Sequence, residues 1–160
     1  MIRRIVTYAV LLSVFLIPGG LAWLLSQSVP VRMLLYHFFH GNIFHLAANC
    51  LALHFLLPRL KVWHLPVSYA VACAAMFVSA VPMAGVSNMI YAVVGLRTPS
   101  FDSWWWRHPG TLTFLAVTFL MLFVPNVAAL AHIASFAMGV LISTAIRFFK
   151  GLGSGSERYI

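Results

Sequence analysis

Long apolar runs separated by short polar segments dominate this sequence. A helix rises ~1.5 Å per residue, so runs near twenty apolar residues are long enough to cross ~30 Å of hydrocarbon. The pattern therefore predicts an all-α, polytopic membrane protein. The predicted spans are 5–25, 41–58, 66–81, 111–124 and 127–148, with a shorter segment at 87–96 that stands fourth in the order.

Composition agrees with this prediction. The chain has 160 residues, about one domain, of which 62% are apolar and 8% charged, and its mean hydropathy is +0.97. This excludes a water-soluble domain. Ten Lys and Arg residues stand against two Asp and Glu, but the basic residues are scattered rather than clustered with aromatics, which argues against nucleic-acid binding.

The basic residues instead predict the orientation. If six segments alternate across the membrane, nine basic residues fall on one side and Arg32 alone on the other. The positive-inside rule then places both termini in the cytoplasm, most simply at a bacterial inner membrane. Without segment 87–96, Arg147 and Lys150 would fall on the side opposite Arg3 and Arg4. The charge bias therefore supports 87–96 as a membrane segment. Residues 1–150 are expected to form the membrane domain, and residues 151–160 a flexible cytoplasmic tail.

Three smaller features fit the same arrangement. The run at 5–25 has no convincing small-residue cleavage site, so it is interpreted as an uncleaved first helix. Cys50 and Cys73 both lie in apolar segments and are expected to be buried thiols, not a disulfide or a zinc site. The tryptophans at 104–106 suit an interfacial aromatic belt beside Arg107.

Polar side chains are rare in the predicted spans. Ionisable and amide groups within a bilayer are costly unless they face a cavity or a partner, so each is a candidate functional residue. These residues are His45, Asn49 and His54 in the second span, Ser87, Asn88 and Tyr91 in the fourth, and His132 in the sixth.

Two of them share one helix face. His45 and Asn49 are four residues apart, which places them one turn apart on the same side of a helix. They are predicted to point together at one substrate atom. At ~100° per residue His54 falls on the opposite face, so it is left out of the site.

The short fourth segment places a serine deep in the membrane. If Arg97 marks the cytoplasmic surface, the helix rises only ~15 Å to Ser87, which then lies near the middle of the bilayer. Residues 82–86 must dip in from outside, and Gly85 suits the tight approach that this requires. The same arithmetic from Arg147 places His132 of the sixth span ~22 Å above the cytoplasmic surface. Once tilt and side-chain reach are allowed for, Ser87 and His132 can share one layer.

These polar side chains predict a serine hydrolase that uses a Ser87–His132 dyad. An imidazole that takes the serine proton produces a nucleophile. The only carboxylates, Asp102 and Glu157, are predicted to be cytoplasmic, so neither is available to orient the imidazole. Tyr91, one turn after Ser87, is expected to pack against the His132 ring.

Acyl transfer also needs hydrogen-bond donors for the oxyanion. His45 and Asn49 suit this role, with the backbone N–H of Ser87 as a third donor. Gly95, Ser135 and Gly139 would let the fourth and sixth helices approach closely, although small residues are equally typical of ordinary membrane-helix packing.

Three motifs carry a family resemblance. They are VRMLLYHFFHGNIFHLAAN at 31–49, GVSNMIY at 85–91 and AHIASFAMG at 131–139. In this order they resemble the motifs of the rhomboid family of intramembrane serine proteases: a Trp-Arg pair followed by His-x4-His-x3-Asn, then Gly-x-Ser-Gly with a tyrosine one turn later, then Ala-His-x-x-Gly-x-x-x-Gly.

The resemblance implies a six-helix bundle that cleaves transmembrane protein substrates without cofactor or metal. It implies Ser87 as nucleophile, His132 as general base, and His45 and Asn49 as the oxyanion hole. The active site would open to the external side. His40 matches the upstream histidine of the family, which could help to hold the first external loop.

The sequence also departs from the family pattern. Asn88 and Ser135 replace glycines, Val31 replaces the tryptophan, and the first external loop is short. These changes are expected to affect substrate range and rate more than reaction type. Two alternatives stay open: an inactive relative that only binds membrane helices, and a haem or metal protein with histidine ligands.

Overall fold

The computed structural model describes residues 2–79, 81–98, 116, 120 and 128–155. This part of the chain forms seven α-helices and contains no strand, which confirms the all-α prediction for it. The helices are α1 (Ile2–Phe15), α2 (Gly20–Ser26), α3 (Val29–Leu35), α4 (Ile43–Leu56), α5 (His64–Ala75), α6 (Ser87–Arg97) and α7 (Ala129–Gly155); short 3-10 helices follow α3, α4 and α5 at Tyr36–Phe38, Leu57–Arg59 and Met76–Val78.

The first predicted span is not one straight helix. It divides into α1 and α2, whose axes are bent by 79°. Pro18 and Gly19 lie in the break. Proline has no backbone N–H to donate and clashes with the preceding turn, and Gly19 adopts a left-handed conformation with φ 70°. The prediction of a continuous first helix is therefore wrong.

The length and hydropathy of the described helices leave the six predicted spans unconfirmed. Among the described residues, only Ala129–Lys150 of α7 is long and apolar enough to cross a membrane, and α1 with α2 adds a second span if the bent pair counts as one. Helix α4, and α5 with its 3-10 extension, are apolar but shorter. Apart from residues 116 and 120, the fifth predicted span lies outside the described residues, as do the tryptophans at 104–106, Asp102 and Glu157.

Helix α7 also extends further than the sequence predicts. It ends at Gly155, so residues 151–155, expected to belong to a flexible tail, are helical. Continuing an existing helix costs far less than starting one, which allows a glycine- and serine-rich end to stay helical. Residues 156–160 of the predicted tail lie outside the described residues.

Helix α6 lies at the centre of the described structure. It packs against α4, α5 and α7, and its residues from Ile90 to Leu96 are all buried. One apolar cluster joins it to α1 and α4 through Leu11, Leu46 and Ile90. Ser87 begins this helix, so the surroundings of α6 fix the position of the candidate nucleophile.

Two glycines let α6 and α7 approach to backbone contact. A Cβ atom built on Gly95 would overlap the carbonyl of Phe136, and one on Gly139 would overlap the carbonyl of Ala92. Ser135 is fully buried at the same interface. Because these positions have small side chains or none, His132 on α7 can reach the first residue of α6.

Candidate active site

Ser87 is held at the first position of α6 by the loop that precedes it. Gly85 has a φ of 96°, a conformation that side chains other than glycine rarely adopt, and its N–H donates to the carbonyl of Tyr36 at 2.9 Å. Val86 then supplies the N-cap position without a side-chain hydrogen bond. The N–H groups in the first turn of a helix have no partner within the helix, so they are available to a ligand.

Ser87 and His132 form a hydrogen bond between α6 and α7. The distance from Ser87 Oγ to His132 Nε2 is 2.8 Å, across 45 residues of sequence. The side chains are largely buried, with exposed fractions of 9% and 7%. When the serine hydroxyl donates, Nε2 of a neutral imidazole accepts and Nδ1 carries the proton.

The His132 ring is oriented by stacking rather than by a carboxylate. Tyr91, one turn after Ser87, lies against it with ring centroids 4.5 Å apart and an interplanar angle of 14°. His132 Nδ1 is buried and has no hydrogen-bond partner among the described residues. The geometry is therefore that of a serine–imidazole pair in which an aromatic face positions the imidazole.

His45 and Asn49 lie beside the loop that carries Ser87. Asn42 caps α4 by accepting a hydrogen bond from the His45 N–H at 2.9 Å, which sets where the helix begins. A Cβ on Gly85 would come within 2.8 Å of His45 Nε2 and 3.1 Å of Asn49 Nδ2. The structure thus places both candidate oxyanion donors against Gly85, two residues before Ser87.

His40 binds the Asn49 side chain, a partnership that the sequence analysis misses. Asn49 Nδ2 and His40 Nε2 are 3.0 Å apart, and the rings of His40 and His45 pack edge to face at 5.2 Å. Burial and the neighbouring His45 lower the pKa of His40 to about 4. A neutral imidazole accepts one amide hydrogen of Asn49, which leaves the second hydrogen for another acceptor.

Tyr36 is a second residue that the sequence analysis misses. Its hydroxyl donates to the carbonyl of Ala72 at 2.6 Å and accepts from Asn88 Nδ2 at 3.2 Å. Asn88 Nδ2 also lies 3.2 Å from Met83 Sδ. Asn88 is therefore part of a buried chain of hydrogen bonds joining α5, α6 and the segment after α3. No local pattern marks Tyr36, because its partners are distant in sequence.

Most of the candidate site residues line one cavity, whereas Tyr36 and His40 do not. Its volume is about 620 Å³, within the range of roughly 300–1,000 Å³ that is typical of small-molecule pockets. Its polar lining includes both members of the dyad and both candidate oxyanion donors. The residues that matter for chemistry are His45, Asn49, Ser87, Asn88, Tyr91 and His132.

The other described histidines, His37, His54 and His64, and both cysteines are not among the residues that line this cavity. His54 is exposed, and its ring packs on Phe55. His37 Nε2 is 3.5 Å from Cys73 Sγ, and Cys50 and Cys73 are free thiols, half-buried and buried respectively. Within the described ranges, no group of three or more His, Cys, Asp or Glu residues is arranged to hold a metal ion.

Comparison with known proteins gives no further assignment. The chain matches no family model, no curated protein and no solved structure. The site must therefore be interpreted from its own geometry.

The role of Tyr36 can be tested by removing its hydroxyl. Tyr36→Phe leaves the Ala72 carbonyl and the Asn88 amide without their buried partner, so we expect the free energy of unfolding to fall by about 1–3 kcal/mol. Tyr69→Phe is the matched control, because the hydroxyl of this half-buried tyrosine also donates to a carbonyl, that of Leu34 at 2.7 Å, but in an exposed hydrogen bond. Thermal unfolding of the purified proteins measures both changes. Equal losses in the two variants would contradict the role given to Tyr36.

Proposed function

We propose that this protein is an intramembrane serine endopeptidase that hydrolyses peptide bonds in or near transmembrane segments of other proteins. The observation that carries the proposal is the 2.8 Å hydrogen bond between Ser87 Oγ and His132 Nε2. A serine paired with a neutral imidazole beside a cavity with amide and imidazole donors is the arrangement that acyl transfer needs.

In the proposed reaction, Ser87 Oγ attacks the carbonyl carbon of the scissile bond while His132 Nε2 takes the hydroxyl proton. The tetrahedral intermediate collapses as the C–N bond breaks, and His132 gives the proton to the leaving amine. Water then attacks the acyl-enzyme ester with His132 again as base. This step releases the new carboxyl end and restores the serine hydroxyl.

His45, Asn49 and the backbone N–H of Ser87 are the proposed donors to the oxyanion. Asn49 is suited to this because His40 holds its amide with one hydrogen and leaves the other available. The described residues contain no carboxylate. No negative charge among them opposes the charge that develops on the substrate oxygen.

A membrane setting for this reaction is supported by the outer faces of the helices. Large apolar side chains there are more than half exposed, as expected where hydrocarbon rather than water is the solvent. They include Phe44 and Leu51 on α4, Phe77 after α5, and Leu141 and Phe148 on α7. We propose six spanning segments, both termini in the cytoplasm and a site that opens externally, in line with the distribution of basic residues.

The resemblance to rhomboid motifs points to the same function. The motif residues that it would make catalytic are the ones that meet at the cavity. A peptide bond within a helix is shielded by its own backbone hydrogen bonds, so a substrate segment must unwind locally before Ser87 can attack. We therefore propose that small or helix-breaking residues near the scissile bond favour cleavage.

Ser87→Ala and His132→Ala test the dyad. Each variant is expected to lose all measurable cleavage of a generic transmembrane substrate and all labelling by a fluorophosphonate, because the nucleophile or its base is absent. Ser68→Ala, which removes another buried hydroxyl, and His54→Ala, which removes an exposed imidazole, are the controls and should retain both activities. Cleavage by Ser87→Ala at the parent rate would refute the mechanism, and substrate binding without cleavage by the parent protein would favour an inactive helix-binding relative.

Asn49→Ala tests the oxyanion role separately from nucleophile activation. Loss of one donor is expected to lower kcat by about 10²- to 10³-fold with a smaller change in KM, because the donor acts mainly in the transition state. Cys50→Ala changes the next residue of α4 and should keep a kcat near that of the parent. Steady-state kinetics with a quenched fluorescent peptide in detergent gives both constants. If Asn49→Ala raised KM and left kcat unchanged, Asn49 would act in substrate binding and not in stabilising the oxyanion.

A further inference from the structure

A second cavity adjoins the active-site cavity and contains the one basic residue predicted to face outward. Its volume is about 250 Å³. Leu25, Pro82 and Met83 line both cavities, so the two share a wall. Arg32, Tyr36, Met76, Ser79 and Val81 complete the lining of the second cavity.

The Arg32 side chain has no counter-ion in the described part of the protein. Its Nε atom is buried and makes no hydrogen bond there. The chain has only two acidic residues, Asp102 and Glu157, and both lie outside the described ranges. On the proposed topology both also belong to the opposite side of the membrane.

The polar neighbours of Arg32 do not neutralise it. The Tyr36 hydroxyl donates to Ala72, and the Ser79 hydroxyl donates to the carbonyl of Val81 at 2.7 Å. A partly buried guanidinium is costly unless it is paired, and its planar fork of N–H groups matches a carboxylate through two parallel hydrogen bonds. The cavity is therefore suited to a carboxylate supplied from outside the chain.

We propose that Arg32 and this cavity form a substrate subsite that binds an Asp or Glu side chain near the scissile bond. The inference rests on the proposed protease function. A substrate strand whose carbonyl reaches Ser87 lies in the larger cavity, and its neighbouring residues pass the shared wall of Leu25, Pro82 and Met83. A lipid phosphate is the alternative anion for Arg32, but the wall shared with the reaction cavity favours a substrate carboxylate.

The test compares transmembrane peptides that carry one Asp, at successive positions around the cleavage site, with isosteric Asn twins. For wild-type protein in neutral detergent, kcat/KM is expected to be at least roughly tenfold higher for Asp than for Asn at one position, because hydrogen bonds to charged groups are the strong ones. Arg32→Gln should bring this ratio close to one, and Arg32→Lys should leave an intermediate ratio. Lys150→Gln removes an exposed cation at the far end of α7 and should leave the wild-type ratio.

Binding to a protein that lacks the nucleophile separates this inference from the proposed function. Fluorescently labelled Asp and Asn peptides are titrated into Ser87→Ala and into Ser87→Ala with Arg32→Gln. The subsite is supported if Ser87→Ala binds the Asp peptide more tightly than the Asn peptide and Arg32→Gln removes that difference. This result would stand even if wild-type protein cleaved neither peptide and the protease proposal failed. No Asp preference at any position, or an equal loss for both peptides in Arg32→Gln, overturns the subsite. An Arg32 effect that appears only when phosphatidylglycerol is added to the detergent would also overturn it and assign Arg32 to a lipid phosphate.

Discussion

The hydrogen bond from Ser87 to His132 requires that two helices distant in sequence approach to backbone contact. Gly95 and Gly139 remove the side chains that would hold α6 and α7 apart. The ring of Tyr91 then fixes the imidazole from the same helix that carries the serine. Packing between these two helices therefore sets the geometry of the proposed nucleophile, and polar groups elsewhere in the site are arranged around it.

A second set of buried polar contacts holds the donors in place. His40 binds Asn49, and Tyr36 links Asn88 to α5. In surroundings that exclude water each such bond is costly to lose, because the freed group finds no substitute partner. The segment after α3 contributes both His40 and Tyr36, so this irregular stretch supports the site although it contains none of the groups proposed to react.

The parts of the site that sequence predicts are those set by helical spacing. His45 and Asn49 share a face of α4, and Tyr91 follows Ser87 by one turn, because both pairs are four residues apart on a regular helix. Contacts across the fold were not predictable in the same way. The partners of Tyr36 come from α5 and α6, and the bend between α1 and α2 at Pro18 lies inside an apolar run that hydropathy alone presents as continuous.

Trapping the acyl-enzyme tests the central claim most directly. A transmembrane peptide is mixed with the protein, the reaction is quenched in acid within one turnover, and the protein is digested and analysed by mass spectrometry. We expect the acyl fragment to be attached to the peptide containing Ser87, through an ester at the serine hydroxyl. Cleavage of the substrate with no acyl fragment on the protein, or with the fragment on another residue, would show that Ser87 is not the nucleophile.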